Sequence, residues 1–307
     1  MKTIKIEFSD ERLITPSGLS LVGQVLGKSD LVSRCNKLMD KDKRSGPQIK
    51  TSDVLLTYIG LLCQSKTQYE SVNEMLEDPE YYCLALGLSS DIPSAETLRQ
   101  RMDSVGASLR NEILEANVSM LDRCKIEPTA LDCGKVAVDL DVTPMDNSGT
   151  KKERVSFTYK KFDGYAPMMA YIGTEGFLVN TELREGKQHC QNHTPEFLRE
   201  TLHLSHKLTS RPLLIRMDSG NDAATNLGIL IEDGSWFIVK RNMRKSESKD
   251  EWLKLAKEVC KDIRHPRDGK DVYIGSSWKE VDYLDSNGNS KNNRPSSLRK
   301  NDYREEA

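Results

Sequence analysis

The chain has no apolar run long enough to span a bilayer, and its opening, Met1-Lys2-Thr3-Ile4-Lys5-Ile6, has no signal-peptide core. Membrane and secreted classes are set aside, and a cytoplasmic protein is expected. It has no CxxC pair. Its seven cysteines, an odd number, are scattered, which reads as small core residues in a reducing setting. It has no excess of positive charge: 45 Lys and Arg stand against 47 Asp and Glu, a net charge of −2. No global field advertises nucleic acid, so any DNA contact must come from local patches. There is no internal repeat. What remains is 307 residues, 37% hydrophobic and 30% charged, enough for one large or two ordinary domains with a real core.

Two patterns divide the chain. Residues 1–128 read as an all-helical domain for DNA binding or dimerisation, after a short strand or arm at residues 3–8. Thr51-Ser52-Asp53 is expected to cap an apolar helix over residues 54–62 at the domain centre. Pro93-Ser94 opens another helix, and Leu109, Ile113, Ala116 and Met120 form the inward stripe of a further, long one. The short helices over residues 71–102 leave two readings open. One is a helix-turn-helix with Arg99 and Arg101 facing phosphates; the other is an ordinary bundle with a solvated basic face.

After Pro128 the period changes to two. Strands are expected over residues 136–142, 168–172, 177–183, 212–217 and 236–239, with helices before and after the fourth. A hairpin meander feeding two alternating units is a mixed α/β sheet. Residues 146–154 read as a polar loop and 261–270 as a basic loop, followed by short strands over 272–274 and 281–284. The core is placed at residues 129–290. Residues 291–307 have almost no apolar residue and are expected to be disordered.

The first strand carries two carboxylates, Asp139 and Asp141, on one face. Unpaired acids there are costly unless something positive sits beside them, and a metal ion is the simplest answer. Asp218 stands at the end of the fourth strand, where sites in such sheets gather. Hard oxygen ligands suit Mg²⁺ or Mn²⁺. The bland alternatives are an edge-strand surface residue for Asp139 and strand-end caps for Asp141 and Asp218.

Several stretches resemble one family in the same order. They are Leu13-Ile14-Thr15-Pro16-Ser17-Gly18-Leu19, Pro93-Ser94-Ala95-Glu96-Thr97-Leu98, Val138-Asp139-Leu140-Asp141-Val142-Thr143 and Phe162-Asp163-Gly164-Tyr165. Leu183-Arg184-Glu185-Gly186-Lys187-Gln188-His189, Arg216-Met217-Asp218-Ser219-Gly220 and Phe237-Ile238-Val239-Lys240 follow. Over residues 10 to 290 the chain resembles the DDE transposases of the IS4 superfamily, in particular the IS1380-like group. The resemblance implies an RNase H-like core and cut-and-paste DNA transposition. It implies Asp141 as first catalytic acid, with Asp139 as its alternative, Asp218 as second, and two Mg²⁺ or Mn²⁺ ions in the intact site. Ser219-Gly220 would let the backbone turn tightly beside the metal.

The implied partner is double-stranded DNA, transposon ends and target, in the bacterial cytoplasm near the nucleoid, with a homodimer or the full-length enzyme as protein partner. Lys151, Lys152, Arg154, Lys160 and Lys161, and then Lys240, Arg241, Arg244 and Lys245, are basic clusters placed to contact phosphates. The bland reading of each cluster is a solvated face. His189, Cys190 and His193 are read as loop residues near the substrate rather than a zinc site, and His203 and His206 as exposed.

The family's third acid, a Glu, lies in a pattern of Tyr, two residues, Arg, three residues, Glu, six residues, Lys. Tyr303-Arg304-Glu305-Glu306 has the letters without the spacing. The expectation is therefore a C-terminally truncated, inactive copy with an incomplete core. The alternative from another class is a non-catalytic DNA-binding product that regulates or inhibits transposition.

Overall fold

The computed structural model describes residues 16–38, 48–277 and 281–293. The chain divides into two compact units, Met1–Glu127 and Pro128–Ala307. The arm at residues 3–8, the opening motif up to Thr15 and the tail beyond Asn293 lie outside the described residues.

Among the described residues the first unit is built only of helices: α1 (Leu19–Leu26), α2 (Leu31–Lys37), α3 (Thr51–Cys63), α4 (Val72–Met75), α5 (Pro79–Leu86) and α6 (Ala95–Arg123). Helix α3 is apolar nearly all round and so feeds two clusters. Val54 and Leu61 pack with Leu19, Met75, Leu86 and Leu98. Leu55 and Leu56 pack with Leu31, Cys35 and Leu109. Leu61 and Leu98 are wholly buried, a burial that contributes roughly 1.5–3 kcal/mol for each side chain.

The sequence departs from the structure at three places in this unit. Thr51, Ser52 and Asp53 do not cap α3 from outside. They form its first turn, Lys50 is the N-cap residue, and no side-chain cap is made. The buried Asp53 carboxylate instead accepts from Ser89 N–H (3.2 Å), Ser89 Oγ (3.0 Å) and Ser90 Oγ (2.5 Å). The two expected helices over residues 94–123 are one helix of 29 residues, capped by Ser94. Gly106 interrupts the pattern without breaking it, at a cost of about 1 kcal/mol. Ile113, expected to face inward, is exposed. Arg99 pairs with Glu96 and Asp103 on its own helix, and Arg101 donates to Thr51 Oγ1. Both guanidiniums are thus engaged within the unit.

The second unit opens with β1 (Val136–Val142), then β2 (Met145–Asp146), β3 (Ser156–Phe157), β4 (Asp163–Tyr165), β5 (Met168–Ile172) and β6 (Phe177–Glu182). Helix α7 (Thr194–Leu208), β7 (Leu213–Met217), α8 (Ala224–Asp233) and β8 (Trp236–Val239) follow. Five of these strands form one sheet in the order β6-β5-β1-β7-β8. β1, β5 and β6 are an antiparallel meander, while β7 and β8 run parallel to β1. The fold is the mixed α/β sheet that the meander and two alternating units lead one to expect. Val136, Val138, Leu140 and Ile215 are buried in its centre, and Phe197, Leu198 and Leu204 of α7 are buried with them.

The expected polar loop joins β2 to β3 of a small sheet, β2-β4-β3, inserted before β5. The expected basic loop is strand β9 (Cys260–Arg267), paired with β10 (Lys270–Gly275) after helix α9 (Lys249–Glu258). Apart from its first residue β9 is exposed throughout, so no apolar alternation marks it. Strand β11 (Val281–Leu284) pairs with β12 (Ser290–Asn293), which takes in the first residues of the tail expected to be disordered. This hairpin packs on α8, where a Cβ on Gly228 would lie 1.7 Å from the Leu284 carbonyl oxygen.

Candidate active site

Strands β1 and β7 position the two acids. Across the parallel pair Leu140 faces Met217, so the next residues, Asp141 and Asp218, stand level at the C-terminal ends of neighbouring strands. Such strands lie about 4.8 Å apart. Both carboxylates are exposed and line one cavity of about 640 Å³.

Asp139 shares the face of Asp141 but not its surroundings. One step back in the register it faces Arg216, whose guanidinium grips both carboxylate oxygens at 2.5 Å. That bond, with the charge of Asp139, holds the Arg216 proton above the ordinary arginine range. Asp139 is the partner of a cation already on the sheet.

Asp218 turns the chain. Its Oδ1 accepts from Gly220 N–H (3.1 Å) and from Asn221 Nδ2 (3.0 Å). Gly220 is needed for close approach rather than for a left-handed turn: a Cβ there would sit 2.9 Å from Cys190 Sγ. The Cys190 thiol donates to Gly220 O at 3.2 Å. Burial, reinforced by the Asp218 charge, pushes this thiol above its usual range. Asn221 is wholly buried, and the sequence reading did not single it out; its signal is only that it follows an Asp-Ser-Gly turn.

Two further segments wall the cavity. One is the turn between β3 and β4, with Thr158, Tyr159 and Lys161; the other is Gly186 to Cys190. The second is anchored by Arg184, which is buried, pairs with Glu182 at 2.8 Å, and donates to Cys190 O and Thr194 Oγ1 at 3.2 Å. Burial and then the charges of Asp141 and Asp218 push the Tyr159 hydroxyl above its usual range.

The basic residues separate into two kinds. Lys151, Lys152, Lys160, Lys161 and Lys240 are exposed, and Lys161 lines the cavity itself. Arg154 lies 3.7 Å from Glu153 and 3.8 Å from Glu185. Arg241 and Arg244 are tied to the buried Asp222, each at 3.3 Å, and Arg241 also to Glu247 at 2.8 Å. His189 and Cys190 border the cavity, whereas His206 pairs with Asp233 at 3.1 Å.

Asp141 Oδ1 accepts only the N–H of Val142 among the described residues. Asp218 uses Oδ1 alone. Each therefore presents an uncommitted hard oxygen, which fits a divalent cation such as Mg²⁺ or Mn²⁺. Among the described residues no group of three or more His, Cys, Asp or Glu side chains could hold a metal ion.

Residues 1–279 match the family model described as transposase DDE domain group 1. No curated protein matches the chain. Among solved structures it is similar to the piggyBac transposase synaptic complex with hairpin DNA, at 11% identity and a TM-score of 0.37, over 93% of this chain. It spans 62% of that chain. It is also similar to the Mos1 transposase paired-end complex with the left transposon end, at 13% identity and a TM-score of 0.25, over 71% of this chain and 74% of that one.

Proposed function

This chain belongs to the transposase DDE domain group 1 family, and from that premise we propose that Asp141 and Asp218 are the acid pair of a DNA transposase. The observation that carries the reading is their level placement on adjacent parallel strands at one cavity. The reaction is cut-and-paste transposition of an insertion sequence: hydrolysis at the transposon ends, then attack of the freed 3′-hydroxyl on target DNA. When bound, one or two Mg²⁺ or Mn²⁺ ions would activate the attacking oxygen and stabilise the leaving one. Asp141 and Asp218 hold that charge in place. Arg216 fixes Asp139, so Asp139 orients β1 against β7 rather than serving as a ligand. Lys161 and Lys187 offer positive charge to a phosphate entering the cavity. Within the family, the ordered motifs favour the IS4 superfamily and its IS1380-like group. The partner is double-stranded DNA at transposon ends and target, with a second copy or the full-length enzyme completing the assembly in the bacterial cytoplasm.

Among the described residues the pair has no third carboxylate. The second reading is a non-catalytic DNA-binding product that regulates or inhibits transposition, which would bind DNA without completing strand transfer. The test uses the purified chain, end-bearing plasmid and Mn²⁺. Nicking that needs both acids is expected of the transposase, and binding without nicking would favour the second reading. Nicking abolished by Asp141→Asn and by Asp218→Asn would mean that the two acids suffice. Nicking that persists in both variants would sink the assignment.

A further inference from the structure

We propose that the turn between β3 and β4 is a binding site for an unpaired nucleotide, with Tyr159 stacking on the base and Lys161 holding its phosphate. The inference rests on the DNA reading above and names the form of DNA that the cavity takes. The turn is built by Thr158, which is buried and whose N–H and Oγ1 both contact Phe162 O, at 2.8 and 2.9 Å. Lys161 N–H closes it on Thr158 O at 3.0 Å, with Lys161 in the left-handed region at φ 69°. This frame drives Tyr159, Lys160 and Lys161 outward together.

The side chains so presented suit a nucleotide. Tyr159 is 63% exposed and Phe157 60% exposed, so both rings are open to a ligand. Both line the cavity that holds Asp141 and Asp218. The Tyr159 hydroxyl donates to Val142 O at 3.4 Å, fixing the ring beside the end of β1. Lys160 Nζ lies 5.4 Å from the ring centroid, so cationic charge already accompanies the aromatic face. Rings interleaved with lysines are the means by which proteins hold single strands: any base stacks, and the charges follow the backbone. The cavity, about 640 Å³, falls in the range of about 300–1,000 Å³ that takes a small ligand. A single unpaired nucleotide is a ligand of that size.

The experiment compares a blunt duplex with the same duplex carrying a short 3′ overhang that bears a fluorescent adenine analogue, with a chelator present so that no cutting intervenes. The unmodified chain should bind the overhang about tenfold more tightly and quench its fluorescence, as expected for one stacked base. Tyr159→Ala should erase both the preference and the quench, and Tyr159→Phe should restore them. Equal affinity for the two DNAs, or a preference that survives Tyr159→Ala, would overturn the proposal while leaving the transposase reading intact. The quench in the unmodified chain needs no variant, so its absence overturns the proposal even if Tyr159→Ala does not fold. Failure to bind either DNA would overturn both readings.

Discussion

Asn221 holds Asp218 from behind. Its amide nitrogen donates to Asp218 Oδ1 at 3.0 Å, while its own Oδ1, buried, has no protein partner among the described residues. A buried amide so committed fixes the carboxylate's orientation, and outer partners of this kind change metal affinity by roughly 10- to 100-fold. Asn221→Ala should therefore weaken Mn²⁺ binding by about that factor in a paramagnetic-resonance titration, with the fold intact by circular dichroism. An unchanged affinity would make Asn221 a packing residue only. Cys35, in the first unit, offers a second test at this scale. Burial, aided by the charge of Glu112, pushes its thiol from 9.0 up to about 11. The folded chain thus keeps a proton that the unfolded chain releases from about pH 9. The stabilisation is fully present below pH 9 and is lost as pH rises through 11. In urea melts across that window, the chain should lose stability faster than Cys35→Ala, so the gap between them narrows. Parallel curves would show that the thiol does not titrate with unfolding.

At the scale of elements, α8 meets β11 so closely that position 228 has no room for a side chain. Gly228→Ala would drive a Cβ to 1.7 Å from the Leu284 carbonyl. Overpacking of that kind costs typically about 1–3 kcal/mol. The backbone must part, so hydrogen exchange should speed up at β11 and β12 while β1 and β7 stay protected; uniform protection would mean that the hairpin is held elsewhere. The same elements show why parts of the fold were legible. β1, β5, β6 and β7 bury residues on one or both faces, so apolar alternation or an apolar run marks them. β8 is marked by its apolar run although its residues are half-buried or exposed. β2 and β3 are two residues each, and nearly all of β9 is exposed. Nothing is buried there to impose a period. Asp141 and Asp218 could be nominated from strand ends, but their level placement depends on register, which one strand's sequence does not carry. Arg184 and Tyr159 were legible as residue types only. Their roles come from what the chain folds around them, a wholly buried guanidinium in one case and a ring at a cavity wall in the other.

For the molecule as a whole, a net charge of −2 means that DNA affinity rests on a local set of cations. Nine basic residues flank the acid-bearing strands, but they are not equivalent. Arg241 and Arg244 already neutralise the buried Asp222, and Arg154 stands between two glutamates. Releasing those guanidiniums to a phosphate would leave Asp222 buried and unpaired, a larger loss than one phosphate contact returns. Six lysines remain: Lys151, Lys152, Lys160, Lys161, Lys240 and Lys245, exposed and with no carboxylate partner among the described residues. Each phosphate neutralised contributes about −0.9 to the slope of log affinity against log salt. Measured by fluorescence anisotropy, the slope should therefore lie near about −5 and not near the roughly −8 that all nine would give. Lys161→Ala should reduce its magnitude by about 1. Arg241→Ala should lower stability and leave the slope almost unchanged, because its charge is spent inside the fold. A slope that falls equally for both variants would mean that the arginines face DNA after all, and that Asp222 finds another partner when they leave.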